Sequence, residues 1–205
     1  MPILYGQVGG IPNTSLADGG NFPALQGKAG EIIAAELHGK WFTAAYRGRV
    51  YISAPLIAGI TIPVNTTTAA TFTIYNPVAS STNLELISLD IGWPAAATSV
   101  VATILGTVSN QTPTAVTANT NPILPGLLGG SFSPQAKIYT AATVVASTSH
   151  IPLLQVTSTA DAMVASHYEF DGKIILPPGW IMTLTSTPVQ TGVAMPGLCW
   201  AEWPI

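Results

Sequence analysis

The chain has 205 residues, enough for one well-buried domain with an appendage; 7% are charged and 48% hydrophobic, whereas soluble domains usually carry about 25% charge. Six basic residues against nine acidic ones leave a net charge of -3, which argues against direct nucleic-acid binding, and the single Cys199 excludes an intrachain disulfide framework. So few charges point to a surface covered by partners, or else to a neutral Thr/Ser/Ala-rich exterior that stays in solution on its own.

The beginning of the chain has no basic start and no apolar core of signal-peptide length, so cytoplasmic synthesis is expected. No run approaches the roughly 18 apolar residues that would span a bilayer. Residues 1–30 are rich in glycine, with Pro2, Pro12 and Pro23, and show no strand or helix period. They carry scattered apolar anchors, Ile3, Leu4, Tyr5, Ile11, Leu16, Phe22 and Leu25, which suits an extended arm buried in a groove of another subunit or packed on its own domain. Glu31-Ile32-Ile33-Ala34-Ala35-Glu36-Leu37 contains good helix formers, but Gly30 and Gly39 limit any helix to about two turns. His38, Lys40, Trp41, Phe42, Tyr46, Arg47 and Arg49 then collect charge and aromatic rings, the residue types found at interface hot spots; a solvated loop explains them as well.

From Val50 on, short runs rich in β-branched residues recur between Pro, Asn, Ser and Gly, which predicts a β-sandwich or barrel. Strands are expected over 50–53, 59–64, 71–76, 84–93, 100–108, 136–140, 143–147, 151–156, 167–170, 173–176, 181–186 and 198–203. In Leu84-Glu85-Leu86-Ile87-Ser88-Leu89-Asp90-Ile91, strict alternation gives both faces a mixed character and predicts a strand covered on both sides. Residues 112–133, with Pro113, Pro122, Pro125 and Gly129-Gly130, are expected to form a long irregular insertion that protrudes. The stretch from His167 to Thr185 is expected to form a β-hairpin turning at Pro177-Pro178-Gly179.

Motifs for nucleophilic catalysis, phosphate cradling or zinc binding are missing from the sequence, and Cys199 between Leu198 and Trp200 is expected to be a buried, inert thiol. One candidate for chemistry remains. His167, Glu169 and Asp171 lie at i, i+2 and i+4, so on a strand they share a face that could offer N and O ligands to a metal, with His150 as a further ligand; a polar strand face is the plainer reading. Strand-borne His and Glu followed by Pro178-Gly179 resemble cupins in part, although the His-x-His pair and later histidine of that family are missing, and that resemblance implies a metal-dependent enzyme. Trp93, Trp180, Trp200 and Trp203, with Tyr139 and Tyr168, offer rings that could stack on sugars, as in a receptor-binding or carbohydrate-binding module; core packing is the commoner use.

The stretch from Ala35 to Tyr51, then Ile60-Thr61-Ile62-Pro63-Val64-Asn65-Thr66-Thr67-Thr68 and Thr71-Phe72-Thr73-Ile74-Tyr75-Asn76-Pro77, resembles virion structural proteins of tailed bacteriophages. So do Leu176-Pro177-Pro178-Gly179 and Leu198-Cys199-Trp200-Ala201-Glu202-Trp203-Pro204-Ile205 near the end. The resemblance covers the two ends of the chain and not its middle. It implies a non-enzymatic capsid decoration or cement protein that works as a homotrimer on the capsid surface, bound to the major capsid protein or another virion protein, with no cofactor; the alternative it implies is a tail-fibre or receptor-binding module that recognises host glycans. The expected architecture is all-β, a jelly-roll-like β-sandwich over residues 49–205 preceded by an extended N-terminal arm and anchoring segment over 1–48. The residues expected to contact partners are Tyr5, Phe22, Trp41, Phe42, Tyr46, Arg47 and Arg49.

Overall fold

The computed structural model describes residues 6–7, 24–25, 39–55, 58–65, 69–70, 72–93, 100–145, 149–158, 165–187 and 193–205. The chain divides into two units, Met1–Lys40 and Trp41–Ile205. In the first, β1 (Gly6–Gln7) and β2 (Ala24–Leu25) pair in parallel. Residues 31–37, with their helix formers, lie outside the described residues.

The second unit opens with α1 (Phe42–Tyr46), a single turn that ends at Gly48, where φ is +68 and the Gly48 N–H donates to the Ala45 carbonyl at 3.0 Å. The strands follow as β3 (Val50–Ser53), β4 (Ile60–Thr61), β5 (Ala69–Ala70), β6 (Thr73–Tyr75), β7 (Thr82–Gly92), β8 (Val100–Asn110), β9 (Thr114–Ala118) and β10 (Leu124–Pro125). Then come β11 (Lys137–Thr143), β12 (His150–Ser158), β13 (Ser166–Glu169), β14 (Ile175–Leu176), β15 (Trp180–Thr187) and β16 (Val193–Pro204).

Two antiparallel sheets result. One runs β10-β3-β16-β7-β13, with β14 also on β7 and β4 on β16; the other runs β12-β8-β15-β6-β11-β5, with β9 on β11. Taking β3, β6, β7, β8, β12, β13, β15 and β16 as eight strands in chain order, the first sheet reads 1-8-3-6 and the second 5-4-7-2. That wiring is the double Greek key of a jelly roll. Between the sheets lie Phe72, Ile74, Leu84, Leu86, Leu89, Ile91, Ile104, Leu153, Phe170, Met182, Leu184, Leu198 and Trp200.

The core face of β7 is not mixed as expected, because the strand changes phase, while its other face, with Glu85, Ile87, Ser88 and Asp90, is. Cys199 pairs with Ser88 and Trp200 with Leu86, so Ile87 is an extra residue in the ladder, a β-bulge. The Ile87 carbonyl accepts the Phe170 N–H at 2.8 Å. Before the bulge Leu84 and Leu86 face the core, and after it Leu89 and Ile91 do. Asp90 is left exposed, while Ile87 joins a second cluster with Ala44, Val50 and Ala201, against which Trp41, Ala45, Cys199 and Trp203 pack. By this packing, residues 41–48 belong with the sandwich, although the sequence grouped them with the arm.

Two further expectations are corrected. Pro177-Pro178-Gly179 makes a turn, with the Trp180 N–H donating to the Pro177 carbonyl at 3.1 Å and Gly179 at φ +84, but it does not join a hairpin. β14 pairs with β7 in the first sheet and β15 pairs with β6 and β8 in the second, so the turn carries the chain from one sheet to the other. Asn76 fastens that crossing: fully buried, its Nδ2 donates to the Thr82 carbonyl at 2.8 Å and the Leu176 carbonyl at 2.9 Å.

Residues 112–133 do not form an irregular protrusion. They supply β9 to one sheet and β10 to the other, so this tract runs along one flank of the sandwich. Asn119 donates to Ser53 Oγ and the Ala54 carbonyl, and Asn121 to the Pro55 carbonyl, which ties the tract to the end of β3. Asparagine amides replace strand pairing where the chain passes from one sheet to the other.

Candidate functional site

The polar stretch on β13 and the turn after it separates into two places. His167 pairs in register with Asp90 of β7, and its Nδ1 lies 2.6 Å from Asp90 Oδ1 while its Nε2 lies 3.1 Å from Glu169 Oε1. Asp171 is elsewhere. It sits at φ +50 beside Gly172 at φ +73, in a tight turn whose Lys173 N–H donates to the Phe170 carbonyl at 3.0 Å. His150 begins β12 in the other sheet. Among the described residues no three His, Cys, Asp or Glu side chains are grouped to hold a metal ion.

With both ring nitrogens facing carboxylates, His167 is arranged as an imidazolium between two anions and not as a metal ligand, which would need a nitrogen lone pair to spare. The hydrogen bond to Asp90 first, then that to Glu169, raises its pKa above the ordinary 6.5, with desolvation acting the other way. A raised folded pKa means that the stabilisation is fully present below about pH 6.5 and is lost as pH rises through the folded value. The His167 ring proton, followed by NMR, is expected to titrate above the ordinary histidine value, and Asp90→Asn should return it toward that value. An unshifted wild-type titration would remove the pairing. Cys199, below this cluster on β16, has its thiol pushed up to about 11, chiefly by burial and then by the charges of Asp90 and Glu169, which keeps it protonated.

The tryptophans proposed as a sugar platform do not present their faces together. Trp93 and Trp200 are buried, Trp180 is half-buried against the core, and Trp203 has Arg49 over its ring at 5.2 Å while its indole donates to Glu85 Oε2 at 2.6 Å. Tyr139 and Tyr168 are half-buried, the latter edge-on to Phe170 at 5.1 Å.

Of the residues expected to contact partners, Tyr5 and Phe22 lie outside the described residues. Trp41 and Arg49 are half-buried on their own sheet. Phe42 and Tyr46 are exposed at 45% and 63%, stacked with centroids 6.0 Å apart, and Arg47 beside them is also exposed.

This stack has neighbours that the sequence reading did not single out. Gly126 lies against Ala45 and Val50, and its N–H donates to the Val50 carbonyl at 2.7 Å. The Phe132 ring sits directly on Gly48, where a Cβ would fall 2.1 Å from a ring carbon. Leu124 pairs across the sheet with Ile52, and both side chains face water. Among the described residues, seven of the twelve large apolar side chains that are exposed, namely Phe42, Tyr46, Ile52, Leu124, Leu127, Leu128 and Phe132, therefore belong to α1, to β3 or to the segment 124–132 that packs on them. Among the described residues this makes one apolar corner of the sandwich. A signal for it exists in the sequence, since no charged residue occurs between Asp90 and Lys137.

Glu202 was likewise missed. It is 6% exposed and accepts hydrogen bonds from the backbone N–H of Gln135 (2.9 and 3.1 Å to its two oxygens), the N–H of Ala136 (3.0 Å) and the indole of Trp200 (3.2 Å). Burial and the nearby Glu202 carboxylate raise the pKa of Tyr51, whose hydroxyl donates to the Gly48 carbonyl at 2.7 Å. This carboxylate clamps the end of the flank tract to β16, next to the apolar corner.

No family model, curated protein or solved structure matches the chain.

Proposed function

We propose that this is a non-enzymatic virion structural protein, a capsid decoration or cement protein that acts as a homotrimer on the outer shell and binds the major capsid protein. The observation that carries the reading is the apolar corner around Phe42, Tyr46, Leu128 and Phe132, on a chain with 7% charge. Exposed apolar area of this kind is stabilised by being covered, and stacked aromatics beside an arginine have the chemistry of interface anchors. The jelly roll is compatible with such a role and does not by itself assign it. The mechanism is binding to the assembled shell in preference to dissociated subunits, which stabilises the shell by mass action, with several weak contacts acting together.

Contact with the shell is assigned to the arm anchors Tyr5 and Phe22 together with the exposed Phe42, Tyr46 and Arg47 of the corner. Deleting residues 1–30 is expected to abolish occupancy on purified particles, read by gel densitometry or electron microscopy, while the circular dichroism of the sandwich is kept. Unchanged occupancy after deletion would remove the arm from the proposal. The buried positions of Trp93 and Trp200 give no support to glycan stacking, so no second reading is carried forward.

A further inference from the structure

We propose that His167 is a proton-operated latch on the edge strand β13: charged, it bonds the strand to β7, and neutral, it leaves two carboxylates facing each other, so that β13 opens more often. The device lies within the fold and does not depend on the function proposed above.

The first argument is register. His167 stands opposite Asp90 and Glu169 opposite Ser88, so the two carboxylates are diagonal neighbours on one face of the ladder with the imidazole between them. An imidazolium donates from both nitrogens, to Asp90 at 2.6 Å and to Glu169 at 3.1 Å. A neutral ring keeps one N–H and turns a lone pair toward the other carboxylate. Among the described residues neither Asp90 nor Glu169 makes a further ion pair, so no second cation takes over. Losing the proton removes a hydrogen bond and uncovers a like-charge pair, and both changes loosen the same ladder.

The second argument is the shortness of what the latch holds. β13 has four residues and lies at the end of its sheet, against β7. The chain runs on into Phe170, whose N–H donates to the Ile87 carbonyl at 2.8 Å and whose ring is 1% exposed, with Tyr168 edge-on to it. A short element at a sheet edge opens without unfolding the rest. Its opening uncovers Tyr168 and Phe170 together.

The third argument is that the surroundings bring little else that titrates. On β13 itself the remaining titratable residues are Glu169 and Tyr168, and on β7 they are Asp90 and Glu85, the latter bonded to the Trp203 indole. β16 adds Glu202, bonded to backbone N–H groups, and Cys199, whose thiol is pushed up to about 11. The turn after Phe170 adds Asp171 and Lys173, and β12, packed beside β13, has His150 alone. His150 is the one other imidazole of the sandwich, so a variant of it separates the two. His167, Asp90 and Glu169 are each more than half exposed, and water screens their attraction, so the latch changes opening severalfold and is not all-or-none.

The experiment is amide hydrogen exchange followed by NMR on the full chain, with each rate divided by the intrinsic rate at the same pH to give an opening constant. From about pH 6 to about pH 9 the opening constant of the Phe170 amide is expected to rise about fivefold. At every pH it should exceed that of Leu184, which donates to the Phe72 carbonyl in the other sheet. His167→Gln is expected to be flat with pH, near the wild-type value at high pH, and His150→Gln to keep the rise. A wild-type opening constant that does not change with pH would overturn the proposal. So would an equal rise in His167→Gln, a rise abolished by His150→Gln, or a Phe170 amide that opens no more often than Leu184.

Discussion

Replacing Glu202 with alanine is expected to lower the unfolding free energy by about 3 kcal/mol, because buried donors are left without an acceptor. The backbone N–H groups of Gln135 and Ala136 and the Trp200 indole all point at this one carboxylate. Water cannot replace it easily, since Ala136 and Trp200 are themselves buried. Glu202→Gln keeps one acceptor oxygen and turns an NH2 toward a donor, so roughly half the loss is expected from it. Urea unfolding of the three proteins measures the difference. If the alanine variant keeps the wild-type midpoint, the carboxylate is not a clamp.

Asn76→Ala is expected to cost about 2–4 kcal/mol, roughly 5–15 °C in Tm for a chain of this size. The loss strikes two carbonyls at once, Thr82 at the start of β7 and Leu176 at the end of β14, which both lose the amide that reaches them. Asn76→Asp separates shape from hydrogen bonding: it fills the same space but turns carboxylate oxygens toward those carbonyls, and should be no better than alanine. Thermal unfolding of both variants is the check. An aspartate variant as stable as wild type would mean that the amide donors contribute nothing.

Much of the sandwich was legible because period-two alternation and β-branched runs report on strands locally. Val50–Ser53 was placed to the residue, and the runs at 84–93 and 100–108 fall on β7 and β8 with ends moved by one or two residues. The phase change at Ile87 was not legible, since a bulge is defined by the partner strand: it takes the pairing of Cys199 with Ser88 and Trp200 with Leu86 to see that one residue is extra. The Pro177-Pro178-Gly179 turn was located, but nothing local says whether a turn returns to the same sheet or crosses to another.

The candidate site shows the same division. The aromatic and arginine composition of residues 41–49 pointed to a surface, and Phe42, Tyr46 and Arg47 are exposed there. Trp41 and Arg49, of the same chemistry, turn inward, because Val50, Ile87, Ala201 and Trp203 offer them an apolar sheet face to cover. Leu127, Leu128 and Phe132 arrive beside them from some eighty residues further along the chain, through pairing of β10 with β3. The shared face expected for His167, Glu169 and Asp171 does not form: His167 keeps Glu169, Asp171 enters a turn, and the second carboxylate comes by strand pairing from Asp90.

The sequence by itself determined that this chain is all-β, sparsely charged, without a disulfide framework, and built of short strands broken by Pro, Asn and Gly. Those properties follow from composition and nearest-neighbour sterics, which act along the chain. Only the tertiary structure decided the 1-8-3-6 and 5-4-7-2 wiring, the pairing of His167 with Asp90, the burial of Glu202 and the assembly of one apolar corner from α1, β3 and the 124–132 segment. Each of these depends on which distant strands share a ladder, and a ladder's register is set by the pairing of two segments, not by either one alone.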